Sequence, residues 1–439
     1  MSSLPVSRPR IAIVGSGISG LAVAHVLREK ADIVLFESAD YFGGHTHTVD
    51  ITLPTPRGAI THGVDTGFLV FNERTYPQLI KLFAELDIKT VKSDMSFSVK
   101  VPGGSGHKPL EWSGSSLNSV FTQRSNLLNW KFLRMLRDIM RFNRITTALA
   151  EANLDADMQQ PLGEFLEAHK FSAEFRDWYF LPMMGCIWSC PTDQMLQFPV
   201  ATMIRFCYNH GLIQVANRPQ WWTVAGGARH YVDKIIANIA DKRLNTPVRL
   251  IERDANGVRI ITAAGAERFD KVVLAAHSDQ SLALLRDPTP AEQQVLGAIR
   301  YQSNHAVLHT DASVLPQKKL AWAAWNYERA RYADRESTQV CLHYLLNMLQ
   351  PLPFTQPVVV SLNPLQKIAR NHIMGEFDYA HPVFDLAATR AQAQLPSLQG
   401  MQNTYFCGAW TGYGFHEDGL KSGLQVARQL LVEMAGAAQ

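Results

Sequence analysis

The chain has 439 residues, enough for two domains or for one large domain carrying an inserted one. Hydrophobic residues make up 46% and the net charge is only +3, an ordinary globular composition that excludes wholesale disorder and gives no overall case for nucleic acid. The opening MSSLPVSRPR lacks the apolar core of a signal peptide, no run of about 18 apolar residues predicts a membrane-spanning helix, and five scattered cysteines fit a reduced, cytoplasmic protein.

Residues 11 to 15, IAIVG, read as a buried parallel strand. The pattern Gly15-x-Gly17-x-x-Gly20 follows, then the helical LAVAHVLREK, then a second strand, DIVLFE, ending in Glu37. Gly15 permits the tight turn, Gly17 lets backbone approach a pyrophosphate, and Gly20 lets helix and strand pack closely. The helix start, with Ser19 in its first turn, offers free N–H groups to phosphates. Glu37 lies 17 residues past Gly20 and can accept hydrogen bonds from an adenosine ribose. A glycine triplet alone fits any Gly-rich turn; strand, glycines, helix and acid in register point to a dinucleotide. This unit alone does not decide between NAD and FAD.

The next stretch, YFGGHTHTVD (41–50), carries His45 and His47 one residue apart. On a strand such a pair suits a metal, with His62 as the nearest third ligand. The preferred reading lays the turn against cofactor phosphates, with no metal, since no third ligand of suitable spacing accompanies the pair.

Residues 126 to 150 read as a long amphipathic helix. Leu128, Phe132, Leu136 and Ile139 share one face; Lys131, Arg134, Arg137, Arg141 and Arg144 share the other. The basic face is either solvated or meets anionic lipid headgroups. In GCIWSCPTDQMLQFP (185–199), Cys186 and Cys190 read as packing cysteines, since no second Cys/His pair stands nearby. Trp188, Phe198, Phe206, Tyr208, Trp221 and Trp222 line an apolar tunnel or belong to an ordinary core.

Further on, PVRLIE (247–252), GVRIIT (257–262) and DKVVLAA (270–276) read as strands, with a turn at Asp254-Ala255-Asn256-Gly257. TYFCGA ends a last strand near Gly408. Asp418-Gly419 and Ser422-Gly423 then open a final helix to about Met434, whose positive end can face a flavin ring.

Together these pieces resemble the flavin amine oxidase / phytoene desaturase superfamily. They are Gly15-x-Gly17-x-x-Gly20, Glu37, Gly43-Gly44, Val64-Asp65-Thr66-Gly67, Pro247-Val248, Val272 to Ala276, and Gly408 with Asp418-Gly419 and Ser422-Gly423. They span the whole chain. The resemblance implies non-covalently bound FAD, with Glu37 on the ribose, Gly43 and Gly44 along the pyrophosphate, and Val248 touching adenine through its backbone. Asp418 would reach the ribityl–pyrophosphate region, and Thr66, Gly67 and Gly408 would complete the cofactor site. More closely, the chain looks like a bacterial subgroup of FAD-binding proteins, through FLVFNERTYPQL, SDMSFSV, GCIWSCP, NHGL, WNYE and GYGFHEDGL. Relatives of that subgroup are often encoded beside, or fused to, cyclopropane fatty-acid synthases. That association implies lipid chemistry and a lipid-modifying enzyme as partner.

Two positions depart from the superfamily pattern. His45 stands where an arginine usually meets the pyrophosphate, and a neutral imidazole lacks arginine's charge and fork. His416 stands where amine oxidases usually carry an aromatic, flanked by Tyr413 and Phe415. A histidine there either moves a proton during dehydrogenation or serves as a structural hydrogen-bond donor.

The expected class is α/β, a two-domain α+β arrangement. A Rossmann-like FAD domain comprises 1–75, 215–285 and 400–439; an inserted substrate domain of sheet and helices comprises 76–214 and 286–399. The expected activity is FAD-dependent dehydrogenation of a hydrophobic substrate, a lipid acyl chain preferred, by hydride transfer to flavin N5. Tyr413, Phe415 and Trp188 would meet the substrate. An amine oxidase, or a non-catalytic flavin-binding partner of a lipid enzyme, are the alternatives. The expected location is cytoplasmic, with peripheral contact at the inner membrane face through 126–150.

Overall fold

Strand polarity and burial organise the nucleotide half of the protein. The computed structural model describes residues 8–103, 108–152, 160–214, 218–330 and 340–437. Five parallel strands lie in the order Asp241–Arg243, Asp32–Phe36, Arg10–Val14, Lys271–Leu274, Thr404–Phe406. Side chains alternate across this sheet with period two. Ile11 and Ile13 point to one face, against the helices Ile18–Leu27 and His416–Ala437. Ala12 and Val14 point to the other, against a three-stranded antiparallel sheet, Leu250–Asp254, Gly257–Thr262 and Gly265–Phe269. Burial on both faces explains why IAIVG is apolar throughout.

The second half is built on a seven-stranded sheet. Its order is Ile373–Val383, Arg300–His309, Val359–Leu362, Cys341–Leu345, Trp325–Glu328, Phe97–Val101, Leu110–Ser113. Trp325–Glu328 and Phe97–Val101 pair in parallel, the other neighbours antiparallel. The helices Trp130–Glu151, Leu162–Ala168, Leu181–Trp188 and Val200–Asn209 share its core through Phe132, Phe142, Phe165, Met184 and Met203.

Two expectations are corrected here. Val248 lies before the strand Leu250–Asp254, not on it. His45 and His47, as the turn reading expects, occupy a turn and the link to the strand Thr48–Thr55. The helix expected from 126 begins at Trp130, because the Asn129 side chain accepts from the N–H groups of Lys131 and Phe132. Residues Arg124–Leu128 form a separate 3₁₀ turn, and Leu128 is 92% exposed instead of sharing the buried face. The basic residues also divide. Arg134 pairs with Glu174 and lies over Trp130, Arg141 lies over Phe171, and Lys131, Arg137 and Arg144 face solvent.

Candidate functional site: a dinucleotide cradle and an apolar cavity

The cradle begins where the strand Arg10–Val14 turns into the helix Ile18–Leu27. Gly17 is the N-cap and no side chain caps the helix. A Cβ placed on Gly17 would meet no protein atom within 4 Å. The first N–H groups of the helix therefore border open space, as an anion requires. Gly20 has the opposite surroundings: its Cβ would stand 2.0 Å from the Gly15 carbonyl oxygen.

Glu37 closes one side of the cradle. Its carboxylate accepts from the Ser16 N–H at 2.9 Å and the Ala39 N–H at 2.9 Å. The Ser16 hydroxyl also donates to Glu37, and it accepts from the Gly43 N–H at 3.1 Å. The turn of Gly43 (φ +121°) and Gly44 (φ +58°) is thus tied onto the first glycine loop. Only glycine adopts both conformations without strain.

From the cradle a cavity of about 420 Å³ runs towards the second half of the protein. Gly15, Gly17, Ser19, Glu37, Gly43, Gly44, His45, Gly67 and Gly408 lie on its wall at the cradle end. Trp188, Phe206, Trp221, Tyr413 and Phe415 lie on the wall at the far end. Phe206 and Phe415 stack at 4.9 Å, and the Trp188 indole donates to the Tyr413 carbonyl. Of the aromatics expected to line a tunnel, Phe198, Tyr208 and Trp222 stand off the cavity wall.

Histidines divide the two ends. The His45 ring lies 5.4 Å from His381 and 6.5 Å from His277, and its Nε2 is buried with no hydrogen-bond partner. Burial, reinforced by the neighbouring imidazoles, pushes its pKa down to about 3, so it is neutral. His416 lies on the wall, stacked on Phe68 at 3.9 Å, and its Nε2 meets the Tyr231 hydroxyl at 2.8 Å. Burial pushes it down to about 3 as well. His47 turns elsewhere, stacked on Tyr41 with Nδ1 3.0 Å from the Tyr379 hydroxyl, and His62 Nδ1 meets the Gly63 carbonyl. The three rings do not share a ligand position.

Several expected cofactor residues support the site from behind. The Thr66 hydroxyl bonds with Tyr379, and Val248 packs beside the antiparallel sheet. Asp418 accepts from the N–H groups of Tyr413 and Phe415, holding the loop that presents both rings. Burial raises its carboxyl to about 6. Gly419 packs against Ile18; Gly20 lies beneath the cradle, against Gly15. Sequence reasoning missed His277, His381 and Tyr231, single residues in no recognisable spacing. It also missed Glu417, whose carboxylate accepts from the N–H groups of Gln78 and Leu79 and so caps the helix Pro77–Glu85. Cys186, on the cavity wall, and Cys190 are both free, buried thiols with pKa pushed up by burial.

The open space before Gly17, the uncapped helix, the placed carboxylate of Glu37 and the unpartnered Nε2 of His45 fit a bound dinucleotide. With an apolar chamber joined to that cradle, fold and site define a cofactor-dependent redox enzyme. The family model for flavin containing amine oxidoreductases matches residues 18–431, and the chain belongs to that family. It is a flavin-dependent oxidoreductase, and FAD is its cofactor. No curated protein matches its sequence.

Solved structures share the fold. A CLA-producing fatty acid isomerase from P. acnes superposes with TM-score 0.65 at 17% identity, covering 97% of this chain and 99% of the other. Putrescine oxidase bound to putrescine gives 0.66 at 15% identity over 97% and 99%. Cyclohexylamine oxidase from Brevibacterium oxydans gives 0.64 at 16% over 96% and 99%. No helix among the described residues is long and apolar enough to cross a membrane.

His45 supplies one direct check of the cradle. A single hydrogen bond to a phosphate contributes about 1 kcal/mol. His45→Ala is expected to weaken FAD binding roughly fivefold to tenfold, read by titrating apoprotein with FAD. Unchanged affinity would show that His45 does not meet the cofactor.

Proposed function

We propose that the protein oxidises a hydrophobic, uncharged substrate segment, an acyl chain in preference to an amine. The observation that carries this reading is the charge inventory of the cavity. Among the described residues on its wall the only carboxylate is Glu37, at the cradle end and committed to Ser16 and Ala39. The far end offers Trp188, Phe206, Phe415, Leu212 and Ile187. An ammonium entering there leaves water without a paired anion, at a cost of several kcal/mol. An alkyl chain loses nothing and releases water.

FAD, when bound, would supply the oxidant, taking up the two electrons and both hydrogens lost as a CH2–CH2 unit of the chain becomes CH=CH. The aromatic wall orients the chain and excludes water. Asp418 fixes Tyr413 and Phe415 through their backbone N–H groups. A proton-moving role for His416 finds no support. With its pKa at about 3 it is too weak a base near neutrality, and its Nε2 is engaged by Tyr231. We assign it a positioning role through the Phe68 stack.

A second reading, amine oxidation, draws on the aromatic far wall, Trp188, Phe206 and Phe415, because aromatic rings attract a cation. Anaerobic mixing of the yellow holoprotein with acyl lipids and with alkylamines separates the two. Bleaching of the visible flavin bands by acyl substrates alone is expected; bleaching by amines alone would overturn the proposal.

A further inference from the structure

Nine large hydrophobic side chains are exposed among the described residues, and six of them fall within 117–140. Leu117 is 81% exposed, Leu128 92%, Trp130 61%, and Leu127 51%. The helix Trp130–Glu151 continues the surface. Its outward stripe runs Trp130, Leu133, Arg137, Met140 and Arg144, at spacings of three and four. A seventh exposed residue, Leu320, joins them, because the turn Lys319–Ala321 packs against the helix Leu117–Val120. Arg124 ties its own turn, Arg124–Leu128, to the helix Leu117–Val120 by donating to the Phe121 carbonyl and to Asn118. Isolated exposed leucines need no explanation, but a contiguous set does.

The charge around this ridge has one sign. Arg124, Lys131, Arg137, Lys318 and Lys319 are exposed. Between 114 and 150 the only acid is Asp138, buried, accepting from the Ser172 N–H and lying 3.6 Å from the Arg137 guanidinium, whose side chain still faces solvent. Glu111 is buried and spent on the N–H groups of Gln317 and Lys318, and Glu174 is buried against Arg134. Asp138, Glu111 and Glu174 are thus all turned inward.

We propose that this ridge seats the protein on an anionic phospholipid bilayer. Its leucines and Trp130 enter the headgroup–acyl boundary, and its lysines and arginines meet lipid phosphates. A second copy is a poor occupant, because an isologous contact would set the same cationic face against itself. A bilayer supplies both missing complements, apolar depth and negative charge. This inference does not depend on the substrate.

Holoprotein is mixed with phosphatidylcholine vesicles, with or without phosphatidylglycerol, and sedimented. Binding is expected with phosphatidylglycerol, and at least about tenfold weaker without it or at high salt, each basic residue contributing roughly fivefold. The double variant Leu128→Ser/Trp130→Ser and the double variant Lys131→Glu/Arg137→Glu are each expected to bind at least about tenfold more weakly, with unchanged FAD content and melting temperature. Absence of binding to the anionic vesicles, or wild-type binding by both variants, overturns the proposal. So does a wild-type dimer in light scattering that Leu128→Ser/Trp130→Ser converts to monomer, which would make the ridge a contact between copies.

Discussion

Gly17→Ala is expected to yield a folded protein that holds FAD much more weakly. The added Cβ meets no protein atom within 4 Å, and Gly17 has φ −61° with extended ψ, which alanine adopts freely. The methyl projects instead into the space where a pyrophosphate approaches the helix start. Crowding of that kind costs about 1–3 kcal/mol or more, so FAD affinity should fall by roughly tenfold to a hundredfold. Gly20→Ala is expected to fail differently. Its Cβ would lie 2.0 Å from the Gly15 carbonyl oxygen and 3.1 Å from the Ala275 side chain, so the helix must leave the sheet. Melting of the two apoproteins separates the cases. Gly17→Ala should match wild type, and Gly20→Ala should melt several degrees lower or fail to accumulate. Equal melting of all three, or full FAD content in Gly17→Ala, would refute the assignment of the cradle.

That contrast also shows which features were legible in the sequence. The first βαβ unit was, because each of its constraints is local: a β-branched run, three glycines and an acid within 27 residues, Ile11 to Glu37. The hairpin at 254–257 was, because Asp254 accepts from the Asn256 N–H and Gly257 takes φ +130°. The surroundings of Val248 and Asp418 were less so: their tertiary contacts, Val248 beside a sheet and Asp418 accepting from two loop N–H groups, come from residues that no motif links to them. The histidine group around the cavity was not legible. His45, His277, His381 and His416 come from four separate segments that only the folded chain brings together. The helix start was misplaced by four residues, since the hydrophobic periodicity runs on through Leu128 and one asparagine cap breaks it.

Buried imidazoles, most of them on the cavity wall, give the protein a steep acid limit. Burial holds the pKa values of His45 and His416 at about 3, and those of His210, His309 and His381 at about 4. All five are neutral in the native state, whereas in the unfolded chain they take up protons below pH about 6.5. A histidine whose folded pKa is depressed contributes stability that is present above the unfolded pKa and lost as pH falls. Asp65 and Asp418 act in the opposite sense. Burial raises both carboxyls to about 6, so the native state binds two protons that the unfolded chain holds only below about pH 4. Five imidazoles against two carboxyls leave a net uptake of about three protons on unfolding near pH 5. Each contributes about 1.4 kcal/mol per pH unit, so stability should fall by roughly 4 kcal/mol per unit between pH 6 and pH 4.5. Above neutrality the trend reverses through His343. Burial lowers its pKa, but Cys341 and Glu328 beside it outweigh burial and hold it at about 9. The stability it contributes is complete below pH 6.5 and is lost as pH rises towards 9. The optimum therefore lies near pH 7. Urea denaturation of the apoprotein at intervals from pH 4.5 to 9 measures the whole curve. His381→Gln should flatten its acid limb by about 1.4 kcal/mol per pH unit, because one imidazole no longer gains a proton on unfolding. An acid limb that is level in wild type, or unchanged in His381→Gln, would show that these histidines are not held neutral in the native protein.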